Sequence, residues 1–437
     1  MIFLNGSNIH LYESMFDHDV IIIAVKSDPN KHRCNNRISF YYIKDLVDLQ
    51  EYILNVCHND YESQPDLFST LTFNGNVYVH GLQLVNRWDE GWFDMELCYW
   101  LTYNEPLNVK QSADVELYHS WYRTNTNITD IIPITILIPY YQTIAKQFEE
   151  CIESIEVGRP LKFYTNILLK NFTLLENVDI PINRTEILEH FKIKVNSLHN
   201  NFKLFTVTGR PSNTSGGINL AALDKNSGQR KIIQVSKKEN YLVEYDYDSF
   251  HVKIVAKIIG YNLPVGNLHE YFGRQYFNTP ILTEEHYELS KQLTFKLLYG
   301  YGAVMTEYEN IKFFKQVREY RATIWDQFNK EGYIEMPISK RKLKKENYED
   351  ITEHKLFNYI LQGTETELNA LRLEKILVYL YGKKSKLVLY TYDSFLFEYD
   401  SSDSTTFLDE LKEILNYGIF QTNIKIGKSY HKMVKYK

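Results

Sequence analysis

Apolar positions along the chain fall into two rhythms. In the first hundred residues, apolar runs at Val20–Val25, Arg37–Ile43 and Asn76–His80 predict strands, and the pattern over Lys44–Val56 predicts a helix. That mixture is an α/β or α+β signature. From about Ile134 to Asn201 the rhythm turns mainly helical, with Ile144, Phe148, Cys151 and Ile155 forming one stripe over Gln142–Glu156. Beyond Asn201 strands and helices alternate to the C-terminus. No internal repeat or low-complexity linker interrupts the chain, and soft boundaries fall near 130 and 200.

Two later segments share one shape, an apolar strand ending in aspartate. In the first, Tyr241 to Asp246 runs into an apolar helix that Asp248 or Ser249 can cap and Gly260 can close. In the second, Leu387 to Glu398 reads as two short strands with Asp393 at the turn. Simple alternation puts Leu387, Leu389, Thr391, Asp393, Phe395 and Phe397 on one side. A carboxylate at each of two strand ends is what a two-ion magnesium site for phosphoryl transfer requires. An aspartate at a strand end is also an ordinary cap or turn residue, so this pattern alone leaves both readings open. Lys291, Phe295 and Tyr299 step by four along a helix that Thr283 caps, with Glu284 and Glu285 in its first turn.

Composition narrows the classes. Charged residues make up 24% of the 437 and hydrophobic residues 44%, as in ordinary globular chains, which argues against extensive disorder. No apolar run is long enough to span a membrane, and the N-terminus lacks the pattern of a signal peptide. Cys34, Cys57, Cys98 and Cys151 form no CxxC pair, so a disulfide scaffold is ruled out, a cysteine zinc site is disfavoured, and reduced, buried thiols are expected. The net charge of −6 counts mildly against a nucleic-acid binder. Local basic runs cut the other way: Lys340, Arg341, Lys342, Lys344 and Lys345, then Lys425, Lys428, Lys432, Lys435 and Lys437. Such runs are solvated faces or follow a phosphate backbone. Abundant Tyr, Asn, Ile and Lys suggest an AT-rich coding sequence, as in a virus or a low-GC microbe.

The order of segments from about 200 onward resembles the family A DNA polymerases, the bacterial DNA polymerase I class. Thr208-Gly209-Arg210-Pro211-Ser212 is similar to that family's TGRxS, and Asn219-Leu220 to the NLQN that follows. Asp246-Tyr247 through Gly260 is similar to DYSQIELR and its helix, and Asn267-Leu268-His269 to DxH. Lys291, Phe295, Tyr299 and Gly300 keep the spacing KxxxFxxxYG. Gly332 to Glu335 resembles GYVET, Asn358 to Thr364 resembles NxPIQGT, and Tyr392-Asp393-Ser394 stands where the family has HDE. The resemblance implies an α/β plus α+β multidomain right hand. Its parts are a thumb at 131–205, a palm at 206–260 and 336–437, and fingers at 261–335. Asp246 and Asp393, with the Tyr247 carbonyl, would hold two Mg²⁺, with Mn²⁺ as a substitute. Lys291 would grip the incoming dNTP, with Tyr247, His251, Phe295 and Tyr299 around it. Arg210, Asn358, Gln362 and Tyr392 would face the DNA primer–template.

The chain departs from the family in places. Tyr287 replaces a triphosphate-binding Arg, which implies weaker nucleotide binding. His251 replaces the Glu that excludes ribonucleotides; imidazole is bulky enough to block as well but differs in charge and hydrogen bonding, which leaves sugar selectivity open. Ser394 replaces the acid after the second aspartate, and the short interval from Asp246 to Lys291 implies trimmed fingers. Residues 1–130 stand where relatives carry a ribonuclease H-like 3′–5′ exonuclease. Phe93-Asp94 opens a helix similar to that domain's FDTMLxxYLL, yet the first strand, Val20 to Lys26, has no DxE. A small, degenerate exonuclease-like domain without proofreading is expected.

The resulting expectation is template-directed, Mg²⁺-dependent transfer from dNTPs to a primer 3′-OH by a compact viral or phage-type member. It would be a monomer in the cytoplasm (the host's, if viral), with no membrane and with a processivity or replisome partner. The alternatives are a non-catalytic primer–template or single-strand binding protein on a polymerase fold, or a polymerase with relaxed sugar or template selectivity.

Overall fold

The computed structural model describes residues 1–65, 67–85, 87–124, 128–300 and 308–436, so Lys437 of the basic run lies outside the described residues. The chain divides into two compact units, Met1–Thr173 and Leu174–Lys437.

The first unit is built on a six-stranded mixed sheet. Its strands are β1 (Ile2–Leu4), β2 (Val20–Lys26), β3 (Ile38–Asp45), β4 (Glu51–Asn55), β5 (Val77–His80) and β6 (Trp92–Asp94), in the order β1-β4-β3-β2-β5-β6. Strand β2 runs antiparallel to β3 and parallel to β5. It is paired on both edges and buried on both faces, which is why its sequence is one unbroken apolar run. The helix expected over Lys44–Val56 is a turn followed by β4. Asp45 Oδ1 accepts from the backbone N–H of Val47 and of Asp48, Leu49 adopts φ 56°, and the chain reverses to pair Tyr52, Ile53 and Leu54 with β3. The short apolar run fits either period; cross-strand burial chose the strand.

The helix Ile134–Ile152 buries Leu137, Ile144 and Phe148 against Ile21, Ile23 and Phe40 of this sheet. The segment read from the resemblance as a thumb therefore divides between the two units, and the boundary near 130 falls inside the first. Cys98 and Cys151 are buried here as expected, but Cys34 is exposed.

The second unit opens with a three-stranded sheet of β7 (Phe202–Lys203), β8 (Ser212–Ser215) and β9 (Ile218–Asn219). Next come β10 (Tyr241–Tyr247), a β11 (Tyr333–Glu335) and β12 (Lys342–Lys344) hairpin, and β13 (Lys386–Thr391), β14 (Ser394–Tyr399), β15 (Thr422–Ser429) and β16 (Lys432–Lys435). The main sheet is antiparallel, ordered β13-β14-β10-β15-β16, with β10 at its centre. Leu242, Leu389 and Leu396 pack one face of this sheet against Ile218 and Leu220.

The alternation expected for Leu387–Phe397 fails twice. A two-residue turn pairs Thr391 with Ser394, which reverses parity across the hairpin, and a bulge between Leu387 and Leu389 reverses it again. Phe395 pairs with Tyr390 and Phe397 with Leu387, while Asp393 belongs to the turn and to neither face.

Candidate active site

Strand β10 carries Asp246 near its C-terminal end, in the middle of the sheet. Asp246 pairs with Ser394 on one side and Asn423 on the other. Asp393 adjoins Ser394, and its backbone carbonyl accepts from Tyr247 N–H at 2.9 Å, which ties the two strand ends together. Asp246 and Asp393, 147 positions apart in the chain, thus become neighbours.

Both carboxyls sit in charge-crowded ground. Burial pushes the Asp246 carboxyl up, and Lys425 pulls part of that back. Burial of the Asp393 carboxyl, then the charges of Asp246 and Glu365, push it up to about 7. The Asp393 residue is nevertheless open to solvent along one side, where water screens those neighbouring charges. Among the described residues, no cation and no side-chain donor reaches its carboxylate. Two adjacent hard-oxygen donors, one of them without a counter-charge, fit a divalent ion such as Mg²⁺. Tyr247 fits only through its backbone, because its hydroxyl donates to the Leu415 carbonyl and its ring stacks on Phe250, away from the aspartates.

The helix Phe250–Ile259 follows β10 and ends at Gly260 with φ 66°, as expected. Neither expected residue caps its start by side chain. Ser249 occupies the cap position at φ 48° with no capping bond, and Asp248 instead holds Lys253 at 3.0 Å. The next turn carries His251, whose Nδ1 meets the Tyr299 hydroxyl and whose Nε2 lies 2.9 Å from Glu365. Glu365 also lies 2.9 Å from Arg210 Nε. Both are ion-pair distances without hydrogen-bond alignment. Burial alone would raise the Glu365 carboxyl, but His251 and Arg210 hold it below its ordinary value. The Arg210 guanidinium stacks on the Tyr392 ring at 3.7 Å. Tyr392, at φ 62°, is pinned further by Asn369, whose amide donates to its carbonyl at 2.5 Å.

Glu365, Glu244 and Asn369 escaped the sequence reading, and Lys425 entered it only as one member of a basic run. One signal was present: Asn358, Gln362, Glu365 and Asn369 fall at helical spacing along one face of Glu353–Leu380. Another was that Glu244 shares Asp246's strand face.

On the helix Glu284–Tyr299, Thr283 caps as expected, accepting from His286 N–H at 3.1 Å. Phe295 and Tyr299 stack on one stripe. Lys291 is on that stripe but is held by its own helix, 2.6 Å from Glu288 and over the Tyr287 ring at 4.4 Å. Only Tyr299 of the three joins the Glu365 cluster directly. Asn358 and Gln362 stand half-buried one turn apart. The first basic run is no uniform solvated face, since Arg341 is fully buried.

No protein-family model matches the sequence, and no curated protein matches it. Among solved structures, the chain is similar to one described as the POL domain of Pol1 from M. smegmatis in complex with DNA primer-template and dNTP. The TM-score is 0.70 at 14% identity, over 99% of each chain. The likeness is one of fold: the chain is a mixed α/β protein with the architecture of a DNA polymerase domain. No helix among the described residues is long and apolar enough to cross a membrane.

Proposed function

We propose that this chain is a template-directed DNA polymerase of the family A kind, extending a primer 3′-OH with dNTPs. The observation that carries the proposal is that Asp246, near the end of β10, adjoins Asp393 in the β13–β14 turn, on a fold shared with a polymerase domain. In this reading the five-stranded sheet is the palm and the helices within 261–335 are the fingers. The first unit is a ribonuclease H-like, exonuclease-derived domain that lacks proofreading. Its strand order and the absence of a DxE on β2 support that assignment.

Asp246, Asp393 and the Tyr247 carbonyl would hold the Mg²⁺ ions. When bound, these lower the pKa of the primer hydroxyl and neutralise charge on the triphosphate and the departing pyrophosphate. The protein's own groups do the rest. Lys291 leaves Glu288 for the triphosphate, and Tyr287 under it supplies an aromatic face where relatives have a second cation. Phe295 and Tyr299 form a flat wall for sugar and base. Glu365 fixes Arg210 and His251 at once, so the groups assigned to the primer terminus and to the incoming sugar share one anchor. Base choice follows from the shape of the pair when the fingers helix closes.

The test is extension of a labelled primer–template with Mg²⁺ and dNTPs, comparing the parent chain with Asp393→Asn. The expected result is dNTP-dependent extension that the variant loses. No extension by the parent with either Mg²⁺ or Mn²⁺ overturns the proposal and leaves a primer–template binder on the same fold.

A further inference from the structure

Lys425 on β15 lies directly opposite Glu244 on β10, on the sheet face that Asp246 shares two residues along. Its Nζ stands 2.8 Å from Glu244 Oε2 and 3.0 Å from Asp246 Oδ2. Glu244 is almost wholly buried and, among the described residues, has one further cation, Arg230 at 3.8 Å, which itself stacks on the Tyr430 ring. The Lys425 backbone is fixed, because β15 is hydrogen-bonded to β10 on one edge and β16 on the other, and the two carboxylates hold its ammonium. At Asp393, by contrast, no such cation is found among the described residues.

We propose that Lys425 is the resident counter-cation of this site, holding Asp246 by one oxygen and setting how strongly the Asp246–Asp393 pair takes up a divalent ion. The inference rests on the metal-binding reading of that pair. A divalent ion shared by the two aspartates must settle beside Asp246, where a fixed positive charge already sits, and it competes with the ammonium for the same carboxylate. Glu244 makes the exchange local. When Asp246 turns to an ion, Lys425 keeps its second carboxylate, and neither the ammonium nor the buried Glu244 is stranded without a partner. Without an ion, Lys425 relieves the mutual repulsion of Glu244 and Asp246.

The experiment is a Mn²⁺ titration of the full chain without DNA or nucleotide, with free Mn²⁺ read by electron paramagnetic resonance. In Lys425→Met the Kd of the Asp393-dependent ion should fall about tenfold, because the ion then meets no like charge beside Asp246. Lys425→Arg, which keeps the charge, should stay within about twofold of the parent. Removing the lysine leaves Glu244 with Arg230 alone, so the same comparison is made between Glu244→Gln and Glu244→Gln/Lys425→Met, with melting temperatures showing that each is folded. Unchanged or weaker Mn²⁺ binding on loss of the lysine in either background overturns the proposal. Asp393→Asn is run beside them. If Mn²⁺ binding survives in that variant, the metal reading of the aspartate pair fails, and the role given to Lys425 falls with it.

Discussion

Asp94 in the first unit and Asp393 in the second are both pushed up to about 7, yet their surroundings differ in kind. Asp94 is buried at the start of the helix Met95–Tyr103, where burial and then the charge of Glu96 raise it. Its carboxylate is already employed: Oδ1 caps the helix by accepting from Leu97 N–H at 2.9 Å, and the backbone N–H of Leu82 helps offset the rise. Nearby, His80 pairs with Glu96 at 2.9 Å. Asp393 is raised by similar causes but caps nothing and pairs with no cation among the described residues. A perturbed carboxyl marks crowding in both places. It marks a candidate site only where acceptor capacity is left over after the fold has been satisfied.

The sharpest way to break this comparison is to neutralise each acid with its isostere. Asp393→Asn should lower primer extension on the order of 10³-fold, equivalent to about 4 kcal/mol of lost transition-state stabilisation. Asp94→Asn should leave the rate within about twofold, because asparagine still caps a helix. Equal losses in the two variants would erase the distinction.

A smaller effect is expected at the anchor of the second unit. Glu365→Gln removes the charge held between Arg210 and His251 and should cost about 3 kcal/mol in urea unfolding, as for a buried pair that loses one partner. It should also raise the KM for dNTP more than it lowers kcat. A stable variant with unchanged KM would show that the cluster is incidental.

In the first unit the sharpening experiment is a pH series. Because the Asp94 carboxyl is raised from 3.8 to about 7, the folded state holds a proton that the unfolded chain releases. This group's contribution therefore makes stability fall as pH rises from about 4 to about 7, by at most about 1.4 kcal/mol per pH unit. Asp94→Asn should flatten that slope in urea unfolding between pH 4.5 and 7.5, and an unaltered slope counts against the assignment. The smallest expected change is in sugar choice. His251→Ala should raise ribonucleotide incorporation about tenfold, the scale of one lost steric contact, and unchanged incorporation removes His251 from that role.

Much of this was legible in local pattern. The apolar strand before Asp246, the capped helix carrying Lys291, Phe295 and Tyr299, and Asp393 at a turn all follow from periods of two and of 3.6. The reading failed where two periods fit one short run, at Lys44–Val56, and where turn length and a bulge changed the facing of β13 and β14. It also failed where a residue's partner was remote. Lys425 read as one member of a basic run, yet its partner Asp246 lies 179 residues away.

The sequence by itself determined which segments form strands and helices around the aspartates, because hydrophobic period and capping act within a few residues. Only the tertiary structure decided that Lys425 faces Glu244 and Asp246, that Glu365 gathers Arg210 and His251, and that Asp393 meets no cation among the described residues. Strand order and register set those distances, and both arise from burying the whole sheet at once, which no local window of the chain encodes.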